Sequence, residues 1–188
     1  MSITIVATPG AADANSYATL DEAASYFEVR LHDEAWESAA TEDQKAALVW
    51  ATRLIDGFDP CPDLPSTLGP WTGTVSSATQ ALAWPRTGMT DSNGRAIAST
   101  VIPNQLKWAE FEQALALLKA DRTLESAAGA QGITRLKAGS VELGFKDEIT
   151  IQSIAPGVRA LLPRSWVRQC SGITSYLFDV VGPSKPCG

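Results

Sequence analysis

The chain has 188 residues, 45% of them hydrophobic, and a formal net charge of −6. That suits one ordinary domain with appendages and excludes wholesale disorder. No run approaches the roughly 20 consecutive apolar residues of a membrane span. The N-terminus "MSITIVATPGAADANSY" lacks a basic n-region and an apolar core, so no secretory signal is read and a soluble protein made in a cytoplasm is expected.

Taken in chain order, "SITIVAT" at 2–8 is β-branched and predicts a short strand before a loop. Thr19 and Glu22 form a capping box that opens a helix. Leu20, Ala23, Ala24, Phe27 and Leu31 fall on its apolar face. "HDEAWESA" predicts a short helical turn whose Trp36 packs between the flanking helices. A second capping box, Thr41 with Gln44, opens a helix striped by Ala47, Leu48, Ala51, Leu54, Ile55 and Phe58 and ended by Gly57. Four prolines and two glycines in 59–80 exclude a long helix there. That stretch reads as a long surface excursion, with Trp71 either a pinned anchor or a partner contact.

"ALAWPRTGMTDSNGRAI" at 81–97 holds the densest pattern. Asp91 and Asn93 alternate as in a calcium loop, but the fifth and twelfth positions are Arg95 and Ile102, so the match fails. Asn93-Gly94 reads instead as a tight turn with positive φ at both residues. Trp84-Pro85 is expected to set the loop's direction and to place Trp84 against the next helix. That helix starts near Pro103 and carries Trp108, Phe111, Leu115 and Leu118 on one face, widened by Ala114 and Leu117. It is expected to be the central core helix. Beyond it, "ITRLKAG" and "SVELGF" predict a hairpin turning near Gly139–Ser140, "EITIQSI" a third strand, and "APGVRALLP" a short helix stopped by Pro163. The fold class is therefore mainly α: a small helical bundle with a long Pro/Gly-rich loop, a short β-hairpin and an extended C-terminal arm. The boundaries are 1–125 for the body with its loop (59–102), 126–163 for hairpin and short helix, and 164–188 for the arm. The arm carries Trp166, Tyr176, Leu177 and Phe178, and its removal at 164 is expected to leave a folded body.

Charge is uneven. Residues 1–60 hold 11 acidic and 3 basic side chains, while 121–188 hold 6 acidic and 8 basic. An acidic protein is a poor generic nucleic-acid binder, since phosphate affinity comes from Lys and Arg. The polarity suits head-to-tail contacts between copies, or plain solubility. No phosphate loop, dinucleotide fingerprint, nucleophile elbow or HExxH is present. The single histidine, His32, lies in "RLHDEAW" and reads as a solvated surface residue. Asp33/Glu34 and Glu42/Asp43 favour the positive ends of helix dipoles. Cys61, Cys170 and Cys187 have no zinc spacing. No enzyme, catalytic residue, metal or cofactor is expected.

The stretch from Gln80 to Leu115 resembles a family of tailed-bacteriophage proteins from the head-morphogenesis region. Leu82, Trp84, Pro85, Arg86 and Gly88 match its L-x-W-P-R-x-G element. Asp91, Gly94 and Ile97 match D-x-x-G-x-x-I, and Ile102-Pro103 the IP step before a long helix. "ANSYATLDEAASYF" at 14–27 and "ATRLIDG" at 51–57 also fit. Such proteins are similar to head–tail connector adaptors, or head-completion proteins, and the family is also labelled DnaT-like single-stranded-DNA-binding protein. The resemblance implies a ring, commonly a dodecamer, in the neck of the virion, assembled in the bacterial host cytoplasm. Its partners would be itself, the portal protein and a downstream stopper or tail-completion protein. Packaged DNA would pass its lumen without specific binding, and no membrane is involved. The alternative it implies is a single-stranded-DNA-binding protein of phage replication. Arg86, Trp71, Arg164, Trp166, Arg168, Tyr176 and Phe178 are the expected ring or partner contacts. For Arg86 an internal tether to carbonyls or a carboxylate is the competing reading.

Overall fold

The computed structural model describes residues 2–57, 69–122 and 153–168, together with the backbone of 135–138 and 141–144. The described protein is mainly helical, as expected. Helices α1 (Leu20–Phe27), α2 (Glu34–Glu37) and α3 (Thr41–Gly57) precede a two-residue ladder of β1 (Thr74–Val75) and β2 (Arg86–Thr87). Helix α4 (Asn104–Lys119) follows, then the hairpin of β3 (Arg135–Ala138) and β4 (Val141–Gly144). Helix α5 (Pro156–Leu161) and a 3₁₀ turn (Arg164–Trp166) complete it. The hairpin pairs antiparallel with Ala138 opposite Val141, the register that a join near Gly139–Ser140 predicts. Most of the third expected strand, 148–152 of 148–154, lies outside the described residues, as do Cys61, Cys170 and Cys187.

Helix α4 lies between two cores. On one side Phe27 stacks on Trp36 with ring centroids 4.4 Å apart, and Ala47, Leu48, Ala51, Phe111, Ala114 and Leu115 close around them. On the other side Leu106 and Ala109 meet Trp71, Trp84, Trp166, Tyr17, Ile55 and Val158. Each fully buried large apolar side chain of this kind contributes about 1.5–3 kcal/mol. Being covered on two sides, α4 buries Leu106, Ala109, Glu110, Gln113 and Ala114 as one stripe, and Phe111 and Leu115 beside it. The sequence stripe caught Phe111, Ala114 and Leu115 and missed Leu106, Ala109, Glu110 and Gln113. Trp108, assigned to the core, sits at the edge with 39% of its surface exposed.

The Thr19–Glu22 capping box is present, with both reciprocal bonds formed. The second is not. Helix α3 already includes Thr41, and the Gln44 side-chain amide donates to the Trp36 carbonyl at 2.9 Å, tying α2 to α3. Residues 2–8 form no strand. Their backbone is held by side chains instead: Val6 N–H donates to Asn15 Oδ1 at 2.9 Å, and Ile3 N–H to Glu42 Oε2 at 2.6 Å.

Within the expected surface excursion Trp71 turns inward, 2% exposed, while 73–76 lie at the surface, where β1 pairs with β2; residues 59–68 of it lie outside the described residues. One boundary moves. The expected arm does not begin at 164. Trp166 is fully buried, Thr72 N–H donates to the Trp166 carbonyl at 2.9 Å, and Arg168 N–H donates to the Pro70 carbonyl at 2.8 Å. Removal at 164 would therefore strip an indole from the core. No helix among the described residues is long and apolar enough to cross a membrane.

Candidate functional site

The signature loop is built around three indoles contributed by segments far apart in sequence. Trp84 packs edge-on against Trp71 at 5.8 Å and tilted against Trp166 at 5.0 Å. Trp166 Nε1 donates to the Thr90 carbonyl at 2.6 Å, which pins the 153–168 segment to the loop. The Trp84-Pro85 peptide bond is cis. Pro103 precedes α4 in extended backbone and supplies its first carbonyl acceptors, to Leu106 N–H and Lys107 N–H.

Arg86 is the tether of this loop. It is 8% exposed, and its guanidinium donates to three carbonyls: Nε to Thr72 at 2.7 Å, Nη1 to Ala83 at 3.0 Å, and Nη2 to Gly73 at 3.0 Å. Burial lowers its pKa, opposed by the nearby Asp56 charge. A planar guanidinium fork carries five donors in fixed directions, so one side chain can reach carbonyls on two sides of a loop at once. Gly73 is required here twice over. Its φ is 65°, and a Cβ would stand 2.4 Å from the Thr87 carbonyl oxygen. Asp91 closes the next turn: its carboxylate accepts from Asn93 N–H, Arg95 N–H and Arg95 Nε, all within 2.9 Å. Gly94 takes a positive φ of 77°, as Gly88 does, but Asn93 does not. The turn is a type I reversal ended by a left-handed glycine rather than a doubly positive one.

The "ANSY" element supplies a second polar network that periodicity did not reveal. Asn15 holds the N-terminal segment. Ser16 Oγ lies 2.6 Å from Glu110 Oε1, and Thr52 Oγ1 donates to the same oxygen at 2.8 Å. Each of these hydroxyls also has a backbone carbonyl in reach, Ala18 for Ser16 and Leu48 for Thr52. Tyr17 N–H also donates to Glu110 Oε1, at 3.3 Å. Burial pushes the Glu110 pKa up to about 8, against these hydrogen bonds. Tyr17 Oη donates to Asp56 Oδ1, and Ala83 N–H donates to Asp56 Oδ2 at 2.9 Å, linking α3 to the signature loop. Burial raises Asp56 to about 6, against these two bonds and the Arg86 charge. The signal for Glu110 and Gln113 was their spacing, i+4 and i+7 from Leu106 on a helix whose i, i+3, i+4, i+7 positions are all buried.

Ser16 and Glu110 are 1% and 0% exposed, so the hydroxyl–carboxylate pair is sealed. Among the described residues no group of three His, Cys, Asp or Glu is placed to hold a metal. His32 stands in solvent with its side chain 82% exposed. Of the expected partner contacts, Arg86, Trp71 and Trp166 are turned inward in their own chain. Arg164 is exposed and Arg168 half-buried; Tyr176 and Phe178 lie outside the described residues.

Fold and site together define a mainly helical protein in which Trp84 and Arg86 brace one loop against the core. The chain belongs to the family described as "Putative DnaT-like ssDNA binding protein", whose model matches residues 1–176. No curated protein and no solved structure matches it significantly.

Proposed function

We propose that the protein is a non-enzymatic structural subunit, a ring-forming adaptor of a tailed-phage neck between the portal and the tail-side components. Its residence would be the virion, after assembly in the bacterial host. The sequence resemblance motivates this reading. The observation that carries it is the fate of the groups a single-stranded-DNA binder needs. Such a protein presents aromatics for base stacking along a basic groove. Here four of six tryptophans, Trp36, Trp71, Trp84 and Trp166, are at most 3% exposed. Arg30, Lys45, Arg95 and Lys107 each sit within 2.8 Å of a carboxylate oxygen, and Arg86 is bound to carbonyls. The N-terminal third remains strongly acidic, which lets DNA pass without adhering.

The second reading, single-stranded-DNA binding, is favoured by the family description. Its candidate stacking residues are the two exposed tryptophans. Trp50 has Arg53 at 5.7 Å from its ring, and Trp108 follows Lys107. Electron microscopy of the purified full chain and of virions tests the first reading, with rings or neck density expected. A monomer that binds single-stranded DNA at micromolar affinity in about 0.15 M salt, with affinity falling steeply as salt rises and lost in Trp50→Ala or Trp108→Ala, supports the second and overturns the first.

A further inference from the structure

We infer that Asn93 is a modification site, deamidated to aspartate and isoaspartate through its neighbour Gly94 at a rate held down by the Asp91 clamp. The inference is independent of which reading of function holds. The chain has three asparagines, Asn15, Asn93 and Asn104, and only Asn93 is followed by glycine. Glycine has no Cβ, so its backbone nitrogen is the least shielded from the preceding side chain. Asn93 and Gly94 are both exposed, and a Cβ built at Gly94 would meet nothing within 4 Å. The tip of the turn therefore has room for the ring that the reaction makes. Asn15 differs in structure as well as in sequence. Its Oδ1 accepts from Val6 N–H at 2.9 Å and its Nδ2 donates to the Thr4 carbonyl at 2.8 Å, so its carboxamide is held on both sides. Asn104 is fixed as the first residue of α4.

The reaction needs only water. The Gly94 nitrogen gives its proton to solvent base and attacks Asn93 Cγ. The bond from Cγ to the side-chain nitrogen breaks, ammonia leaves, and a succinimide closes. Water then opens it. Cleavage at the side-chain carbonyl gives aspartate, and cleavage at the backbone carbonyl gives isoaspartate, whose main chain is one methylene longer. The fold resists the first move. Gly94 N–H donates to the Asp91 carbonyl at 3.0 Å, and that bond must open before the nitrogen can attack. The Asp91 carboxylate keeps it closed by accepting from Asn93 N–H, Arg95 N–H and Arg95 Nε at 2.8, 2.9 and 2.8 Å. Hydrogen bonds to a charged group are the strong ones, so the fraction of time the turn stands open scales the rate. The consequence reaches past the tip. Thr90 bridges to Ala96, Ile97 N–H donates to the Met89 carbonyl at 3.0 Å, and the Thr90 carbonyl receives the Trp166 indole. An added methylene at 93 disturbs the register of that short ladder beside the tryptophan core, and either product places a new negative charge next to Asp91.

The test is peptide mapping by mass spectrometry of full-length protein aged at mildly alkaline pH, folded and in denaturant, for wild type, Asp91→Ala and Asn93→Gln. Chromatography separates the aspartate and isoaspartate forms of the peptide. Thermal melting checks that Asp91→Ala is folded, and Asp91→Asn, which loses the charge but keeps an acceptor, replaces it if not. In denaturant, wild type is expected to gain both products at Asn93 well ahead of Asn15 and Asn104, and Asn93→Gln to gain neither at 93. Folded wild type should age more slowly than the denatured chain, and folded Asp91→Ala about tenfold faster than folded wild type, as the loss of charged hydrogen bonds eases opening of the turn. Folded wild type that ages as fast as the denatured chain, or a folded Asp91 variant that ages no faster than wild type, overturns the clamp. An Asn93 that stays intact in denaturant, or is modified no sooner than Asn15 and Asn104, overturns the site.

Discussion

The two cores on either side of α4 are built differently. The Phe27–Trp36 core draws its members from consecutive helices, α1 to α3, and meets α4 along a continuous stripe. The tryptophan core draws Trp71, Trp84 and Trp166 from three irregular segments separated by long stretches of chain. Helical packing needs only that apolar residues recur with the right period. Irregular backbone has no ladder of its own, so its carbonyls must find donors elsewhere. Arg86, Thr72 N–H, Arg168 N–H and the Trp166 indole meet that need. The lesson is that the densest sequence pattern, 81–97, marks a region where secondary structure does not satisfy the backbone.

The comparison breaks most severely at Trp166. Trp166→Ala should cost about 3–5 kcal/mol, as large-to-small changes at aromatic core sites do. Chemical denaturation would read it, with tryptophan near-UV dichroism lost before helical signal. Truncation after Arg168 should leave stability close to wild type. A truncation that melts as early as Trp166→Ala would show that the tail beyond 168 supports the core.

Arg86→Ala leaves three carbonyls without their donor in a nearly buried loop, and about 2–4 kcal/mol should be lost. Arg86→Lys should recover only part, since an ammonium lacks the planar fork. If Arg86→Ala instead melts like wild type but fails to assemble, the residue serves a neighbouring subunit.

Glu110 stands where the cores meet, and its effect is a slope with pH. Its folded pKa, about 8, is raised above the ordinary carboxylate value of 4.5. The folded state therefore holds the proton more tightly than the unfolded state. Its contribution is fully present below about 4.5 and is lost as pH rises towards and through about 8. Melting temperature should fall across that window in wild type, and Glu110→Gln should flatten the fall. Equal slopes in the two proteins would mean that Glu110 stays charged in the fold. Asp56 acts in the same direction over a lower window ending near 6.

The smallest effect belongs to the helical side. Thr19→Ala removes one capping-box acceptor and should cost about 1 kcal/mol, measured by thermal melting. A loss as large as that of Arg86→Ala would show that the α1 end is coupled to the tryptophan core through Ser16 and Tyr17.

The amino-acid sequence by itself determined the mainly helical class, α1, α3 and α4, the Thr19 cap and the two paired strands of the hairpin. These depend on spacing within about a dozen residues, over which helix and strand periods act. It also marked Trp84, Arg86 and Gly94 as special without saying for what. Only the tertiary structure decided that Trp71 and Trp166 face inward, that Arg86 binds its own chain's carbonyls, and that Ser16, Thr52 and Glu110 meet. Those pairings join residues 58 to 94 positions apart in the case of Glu110. Nothing in local sequence fixes them, because they exist only after α4 has been packed on both sides.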